Sequence, residues 1–342
     1  MKGYERIAAA LAGEPPDRVP VMLHNFLMAA HEAGVSMGVY RRDPEAVARV
    51  FLQAVETYGY DGIVVDIDTS TLAGAVGVPV DFPDDQPAGL RGPRLARLEE
   101  VDELEPPDVG AYWGVQVWLE AARILVRQCG GAYFLRGNCD QDPFSLAAAM
   151  RSLENWMIDL TQEENHPRIL RLLDYCTLAT AQFVRLMAAT GVHMVSNGDS
   201  PAGPDLISPR LYRQWAWPSE ARIAAEAHAC GLPYALHICG KTDQILEDMV
   251  GTGADALELD YKTDVRLARR VLAGRAVFIG NLDPTGVLAQ GSTAEVASAT
   301  RELLAVFAGN PRFILNAGCA IPAHTPPENL RTMIGAAREW CG

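Results

Sequence analysis

The feature that most restricts the fold is an alternation. Short apolar runs recur at residues 19–24 (VPVMLH), 62–68 (GIVVDID), 132–138 (AYFLRGN), 193–197 (HMVSN), 233–238 (PYALHI), 256–259 (ALEL), 276–279 (AVFI) and 313–316 (FILN). Each is followed by a stretch with helical spacing. Apolar runs of this length, bounded by Gly, Pro or acids, are the pattern of strands buried on both faces. Strands alternating with helices imply an α/β fold with a parallel sheet covered by helices, and eight such units predict a (β/α)8 TIM barrel. An N-terminal helix over residues 2–12 precedes the first strand and is broken by Pro15-Pro16-Asp17. Residues 69–112 are irregular and rich in Pro, Gly and Asp, a long loop insertion after strand 2. Connections of that length inside a domain are usually functional. No linker divides the chain, so residues 1–342 read as a single domain.

Local signals place the helices. Asp43-Pro44 supplies an N-cap and a first-turn proline for a helix through Tyr58. Residues 113–128, the segment from Pro143 onward, and residues 167–189 carry helical spacing, with Gly191 beyond the last of these. Further helices are predicted from Pro209 through Ala229, from about Thr242 and from about Val265. Ser292-Thr293-Ala294-Glu295 and Thr325-Pro326-Pro327-Glu328 both match the capping-box pattern and predict the last two helix starts.

Composition excludes several classes. The formal charge of −14 and a pI near 4.9 argue against nucleic-acid and anionic-membrane partners. The start, MKGYERIAAAL, is charged and too short in apolar residues for a secretion signal, and no run of about 18 apolar residues predicts a membrane span. The seven cysteines lack disulfide spacing, which points to a reducing cytoplasm. Cys129, Cys176, Cys230 and Cys341 read as packing residues on helices. No G-x-G-x-x-G, P-loop or G-x-S-x-G element appears, which argues against nicotinamide, nucleoside triphosphate and serine hydrolase chemistry.

Polar side chains gather where the strands end: His24, Asp66, Asp68, Asn138, Asp140, Asp199, His237, Cys239, Glu258, Asp260, Asn281, Asp283 and Cys319. Barrel enzymes build their sites at that face. His237 and Cys239 are two apart, so a strand presents both on one side. Cys319 follows another strand, and a Gly flanks each Cys. One His and two Cys close three corners of a tetrahedral zinc site and leave the fourth open, the catalytic rather than the structural arrangement. A buried His and two buried thiols are the plainer reading of the same residues. Asp199 is a candidate base or substrate partner, or a turn residue. Asn281 and Asp283 either hold a ligand or shape the turn before Pro284. Asp66 and Asp68 either bind a cation or an amine, or cap the next helix. His24 reads most simply as a hydrogen-bonded histidine. Tyr112-Trp113 and Cys139-Asp140-Gln141-Asp142 are further candidates for shaping a pocket.

Several motifs carry a resemblance along nearly the whole chain: Asp17-Arg18-Val19-Pro20, Gly198-Asp199-Ser200 with Ile207-Ser208-Pro209, Gly280-Asn281-Leu282-Asp283-Pro284, and Thr325-Pro326-Pro327-Glu328-Asn329. Together they resemble the uroporphyrinogen decarboxylase superfamily. His237-Ile238-Cys239-Gly240 and Gly318-Cys319-Ala320-Ile321-Pro322 look like its branch of cobalamin-dependent methyltransferases, the methylcobamide:coenzyme M type. The resemblance implies a TIM barrel and zinc on His237, Cys239 and Cys319. It implies methyl transfer between a corrinoid (methylcobamide) and a small thiol or other methyl donor or acceptor. Asp199 and Asn281 are then the candidate catalytic residues, and His24, Asn138 and Asp283 the candidate cofactor contacts. No D-x-H-x-x-G segment for binding cobalamin is present, so the corrinoid is expected on a separate protein docking over the barrel mouth, with 69–112 as a candidate docking surface. The decarboxylase proper has an arginine-rich segment after its first strand, whereas residues 24–31 (HNFLMAAH) contain no Arg. A metal-free decarboxylase and a non-catalytic tetrapyrrole- or corrinoid-binding barrel are the competing readings.

Overall fold

A computed structural model describes residues 1–340. Eight parallel strands run in sequential order: β1 (Met22–Leu23), β2 (Gly62–Val65), β3 (Phe134–Gln141), β4 (Met194–Gly198), β5 (Tyr234–Ile238), β6 (Ala256–Leu259), β7 (Val277–Leu282) and β8 (Phe313–Ala317). The ring closes through Val21, which bridges Leu315 in parallel, and Leu315 N donates to Pro20 O at 2.9 Å. The arrangement is the predicted TIM barrel, nearly closed.

The parity of the strands explains where the polar site lies. Inward positions low in the barrel are apolar: Met22, Val64, Phe134, Met194, Ala235, Ala256, Val277 and Ile314 form one buried cluster. Ile7 and Ala10 of the N-terminal helix Gly3–Ala12 join it and plug that end. Two residues further along, seven of the eight become polar: His24, Asp66, Arg136, Ser196, His237, Glu258 and Asn316, while Ile279 of β7 stays in the apolar cluster. Alternation along a strand makes such a step inevitable once i is apolar and i+2 is polar. The other face of each strand packs under the helices in a second, larger apolar cluster. Burying that surface at about 25 cal/mol per Å² is the main favourable contribution to such a core.

Most helices start as predicted. Asp43 caps Pro44–Tyr58 by accepting from Ala46 N, and the Ser292/Glu295 box is formed in both directions. Thr325 is a correction. Its hydroxyl donates to Pro322 O, and the last helix, Pro327–Glu339, begins after Pro326 without a side-chain cap. With Pro326 in the N-cap position, the Thr hydroxyl lies one residue before the cap and bonds backward instead. The helix expected from about Thr242 begins only at Leu246, because Thr242 is tied by its N–H and hydroxyl to the Thr263 hydroxyl. The helix after Pro209 contains a π turn over Tyr212–Ala216 just before Pro218, which lacks the N–H that a regular ladder would need. β3 runs three residues past the expected end, with a register shift between Asn138 and Gln141 that puts Asp140 at a φ of 62°.

The insertion over 69–112 is not structureless. It holds the short helix Thr71–Ala75, a two-stranded ribbon of Val80–Asp81 and Gly89–Leu90, and single helical turns at Leu98–Glu103 and Val109–Ala111. No helix among the described residues is long and apolar enough to cross a membrane. Cys129 and Cys176 are buried and Cys230 partly so, as expected of packing residues, while Cys341 lies outside the described residues.

Candidate active site

β5 delivers His237 at its inward position, and the chain turns at Gly240 just after Cys239. Gly240 has a φ of 87°, a conformation L side chains rarely adopt, and its N–H donates to Asp260 Oδ2 at 2.8 Å. Cys319 follows β8 through Gly318, whose position leaves no room for a side chain. A Cβ there would lie 2.5 Å from Tyr261 N and 3.1 Å from the Asp260 carbonyl carbon. Two glycines thus let the two cysteines approach from strands that are not neighbours.

The His237 Nε2 lies 3.0 Å from Cys239 Sγ, and the two sulfurs are 3.7 Å apart. All three ligand atoms fall within 4.8 Å of one another, the one such cluster among the described residues. The sulfurs are far beyond the ~2.05 Å of a disulfide. Two thiolates sharing one tetrahedral zinc at about 2.3 Å each would be separated by ~3.8 Å, close to what is found. His237 Nδ1 is bonded to the Glu258 backbone carbonyl at 2.9 Å, which leaves Nε2 to face the sulfurs. That is the orientation a metal-ligating imidazole takes from its outer partner. The donor set, two sulfurs and one imidazole, suits zinc.

The electrostatics favour negative sulfur. The Cys319 thiol stabilises a thiolate on Cys239 by hydrogen bonding, burial opposes it and His237 assists, so the Cys239 thiol falls well below its usual range. Cys319, donating that bond and partly buried, is pushed up. Burial works against charge on His237, but the Cys239 thiolate and Glu258 outweigh it and raise the imidazole to about 10.

Cys239, Cys319 and His237 open into a cavity of about 210 Å³ at the C-terminal end of the barrel. His24, Arg41, Asp66, Asp68, Arg136, Asn138, Asp140, Gln141 and Glu258 contribute its polar wall, and Phe26, Leu27, Met37 and Ile67 much of its apolar one. Pro87 and Ala88 of the insertion also line it, so the long loop forms part of the mouth. His24 Nε2 is paired with Asp66 Oδ2 at 2.5 Å, and Asn138 Oδ1 accepts from Ser196 Oγ at 3.3 Å.

The remaining candidates lie elsewhere. Asp199 is turned toward the helix Pro143–Arg151, where its Oδ1 accepts from Ser145 N and Oγ at 2.7 and 2.5 Å. It is wholly buried with Asp142 and Glu220, and burial pushes all three carboxyls up, Asp199 to about 6. It does not line the cavity. Asn281 is buried and donates to the Asp260 carbonyl at 3.0 Å, bracing the turn that follows β6. Asp283 caps the π turn Pro284–Ala289 by accepting from Thr285 N and Gly286 N, each at 2.9 Å. Turn chemistry, the plainer of the two readings, is what Asp283 performs. Asp260 ties two loops together, accepting from Gly240 N in the turn after β5 and from Lys262 N in its own.

Sequence reasoning missed two cations. Arg136 is 2% exposed, inside the barrel, and joins Glu258 Oε2 at 2.6 Å and Ser196 Oγ at 2.7 Å. The signal was present, since Arg136 shares strand parity with Phe134 and Asn138. Arg41 is also buried and reaches the cavity, with its two Nη groups on the Pro83 and Gln86 carbonyls. Nothing in its local sequence marks it, because its partners lie more than forty residues away.

The comparisons with known proteins agree with this geometry. The uroporphyrinogen decarboxylase (URO-D) family matches residues 2–340. A methylcobamide:CoM methyltransferase of Methanosarcina acetivorans is 28% identical, covering 98% of this chain and 97% of its own length. A uroporphyrinogen decarboxylase of Coxiella burnetii is 26% identical over 98% of this chain and 95% of its own. A methyltransferase structure from Methanosarcina mazei superposes with a TM-score of 0.90 over 99% of both chains at 24% identity, which shows the shared fold.

Proposed function

The chain belongs to the uroporphyrinogen decarboxylase (URO-D) family, and from that membership and its cavity we propose that it is a zinc-dependent corrinoid methyltransferase. It moves a methyl group between a cobamide, carried by a separate corrinoid protein, and a small thiol or other methyl donor or acceptor. The observation that carries the proposal is the convergence of His237 Nε2, Cys239 Sγ and Cys319 Sγ within 4.8 Å in the lining of one cavity. A metal-free decarboxylase gives no role to that set. Of the two arginines lining the cavity, Arg41 gives both Nη groups to loop carbonyls and Arg136 is paired with Glu258, so the cavity wall offers no open guanidinium fork for a polycarboxylate.

His237, Cys239 and Cys319 would hold the zinc, and zinc there supplies Lewis acidity that lowers the pKa of a thiol from its usual value of about 8.5. The chain's own residues do the rest. The Glu258 carbonyl fixes the imidazole, Gly240 and Gly318 fix the two cysteines, and Phe26, Leu27, Met37 and Ile67 give the cavity its apolar wall. In the thiol direction, the acceptor would lose its proton to solvent and its sulfur would form a bond to the methyl carbon. The electron pair of the broken Co–C bond would stay with the corrin as Co(I). The open mouth, edged by Pro87 and Ala88, is where a docked corrinoid would present that methyl group.

The test is spectroscopic. Mixed with methylcobalamin and a panel of thiols, or with cob(I)alamin and a panel of methyl donors, the protein should change the corrin absorption with a true partner. The rate should fall to background once zinc is removed by chelation. Turnover at an unchanged rate in zinc-free protein would reject the proposal.

A further inference from the structure

Beside the mouth cavity lies a second hollow to which the account above gives no role. We propose that this groove receives one edge of the corrin macrocycle, with its neutral amide arms, while the cobalt-bound methyl group faces the cavity; the inference rests on reading the cavity as the methyl-transfer site.

The first observation is one of size and place. The cavity lined by His237, Cys239 and Cys319 measures about 210 Å³, room for a small thiol and not for a macrocycle. A corrin that delivers a methyl group there must lie across the mouth and overhang whatever borders it. The groove, about 490 Å³, borders it directly, because Thr69, Ala88 and Gln141 line both hollows. Its other wall comes from Ala148 and Ala149 of the helix Pro143–Arg151 and from Leu153.

The second observation is chemical. Ionisable side chains crowd the cavity, Arg41, Asp66, Arg136 and Glu258 among them, yet none lines the groove. Leu90 and Leu153 border it while 45% and 43% exposed. Large apolar side chains left open around a hollow mark a surface that another molecule covers. Between them stand neutral polar groups, Thr69, Ser70, Gln141 and Ser152. The Thr69 and Ser70 hydroxyls make no hydrogen bond among the described residues, so both can donate to a ligand. The rim of a corrin has the matching character. It alternates methyl groups with acetamide and propionamide arms and carries no ionised group. Such a rim meets apolar and neutral polar side chains without the desolvation cost that a charge on either side would impose.

Equilibrium dialysis of the zinc-loaded protein against free methylcobalamin, with no thiol present, tests this. Gly89→Trp fills the groove from the ribbon side; a Cβ at Gly89 meets nothing within 4 Å, so the larger side chain brings no clash of its own. Leu153→Glu and Leu153→Lys place opposite charges at one exposed position of the other wall. All three variants should bind methylcobalamin at least tenfold more weakly than wild type, with zinc content unchanged. Leu178→Glu, at a 52% exposed position of the outer helix His166–Ala188, should stay within twofold of wild type. Affinities within twofold of wild type in Gly89→Trp and both Leu153 variants would overturn the inference. So would opposite effects of Glu and Lys at 153, an equal loss in Leu178→Glu, or no measurable binding to wild type. Methyl transfer to thiols is read separately on the same samples. Zinc-dependent transfer in wild type with groove variants that bind normally rejects only the groove, and the expected loss of binding without zinc-dependent transfer in wild type rejects only the function proposed above.

Discussion

Replacing Cys239 or Cys319 with Ala should abolish methyl transfer and strip the zinc proposed above. The expected loss is larger than the ~10–100-fold that outer partners of a metal ligand usually cost, so roughly 1,000-fold or more in rate is predicted. Zinc measured after gel filtration should drop from one per chain to a small fraction. Each Ala variant leaves at most one sulfur and one imidazole, too few to hold the ion against dilution. Both cysteines sit in turns at the ends of strands and are only partly buried, so the barrel should still fold and give an unchanged far-ultraviolet circular dichroism spectrum. Full zinc content in either variant would remove that cysteine from the set.

The second large effect concerns the pair beneath the site. Glu258→Gln leaves Arg136 as a buried cation without a charged partner, and breaking a buried pair by removing one member typically costs about 3–5 kcal/mol. Urea unfolding at pH 7 should show that loss. A change under ~0.5 kcal/mol would mean that the pair is not formed. Glu258 also predicts how the gap varies with pH. Burial raises its carboxyl, but Arg136, His237 and His24 outweigh burial and bring it from 4.5 to about 2. A carboxyl whose folded pKa is depressed stabilises the fold fully above its unfolded value and loses that contribution as pH falls through the folded one. The gap between wild type and Glu258→Gln should therefore be full above pH 4.5 and close as pH falls toward 2. Because the Glu258 carbonyl holds His237 and its side chain also accepts from Asn316 Nδ2 at 2.8 Å, the variant should lower zinc affinity as well.

What the sequence made legible, and what it did not, follows from the range of the interactions. The eight strands were readable because each is a local apolar run, and His237 with Cys239 because two residues on a strand share a face. Cys319 was reachable because it ends another such run beside a Gly. Asp199 and Asn281 sat at the right ends of the right strands, yet end position alone does not say which way a side chain turns. Asp199 goes to Ser145 and Asn281 to the Asp260 carbonyl, both contacts across the fold. Asp283 had two readings, ligand contact or turn residue, and its two backbone partners, two and three residues away, are those that any Asp-Pro turn offers. Arg41 was invisible because its role is set by carbonyls in the insertion, whose path no local pattern predicts. Thr325 matched a capping pattern, but its hydroxyl turns back to the Pro322 carbonyl and the helix starts one residue later than the pattern places it.

The central claim is that one imidazole and two sulfurs from β5 and the turn after β8 hold a single zinc in a site open to reactants. Zinc K-edge X-ray absorption on the purified wild-type protein tests it most directly. The account predicts one zinc per chain with two sulfur neighbours at about 2.3 Å and the remainder nitrogen or oxygen, falling to one sulfur in Cys319→Ala. Absence of stoichiometric zinc, or a shell of four sulfurs, would contradict it.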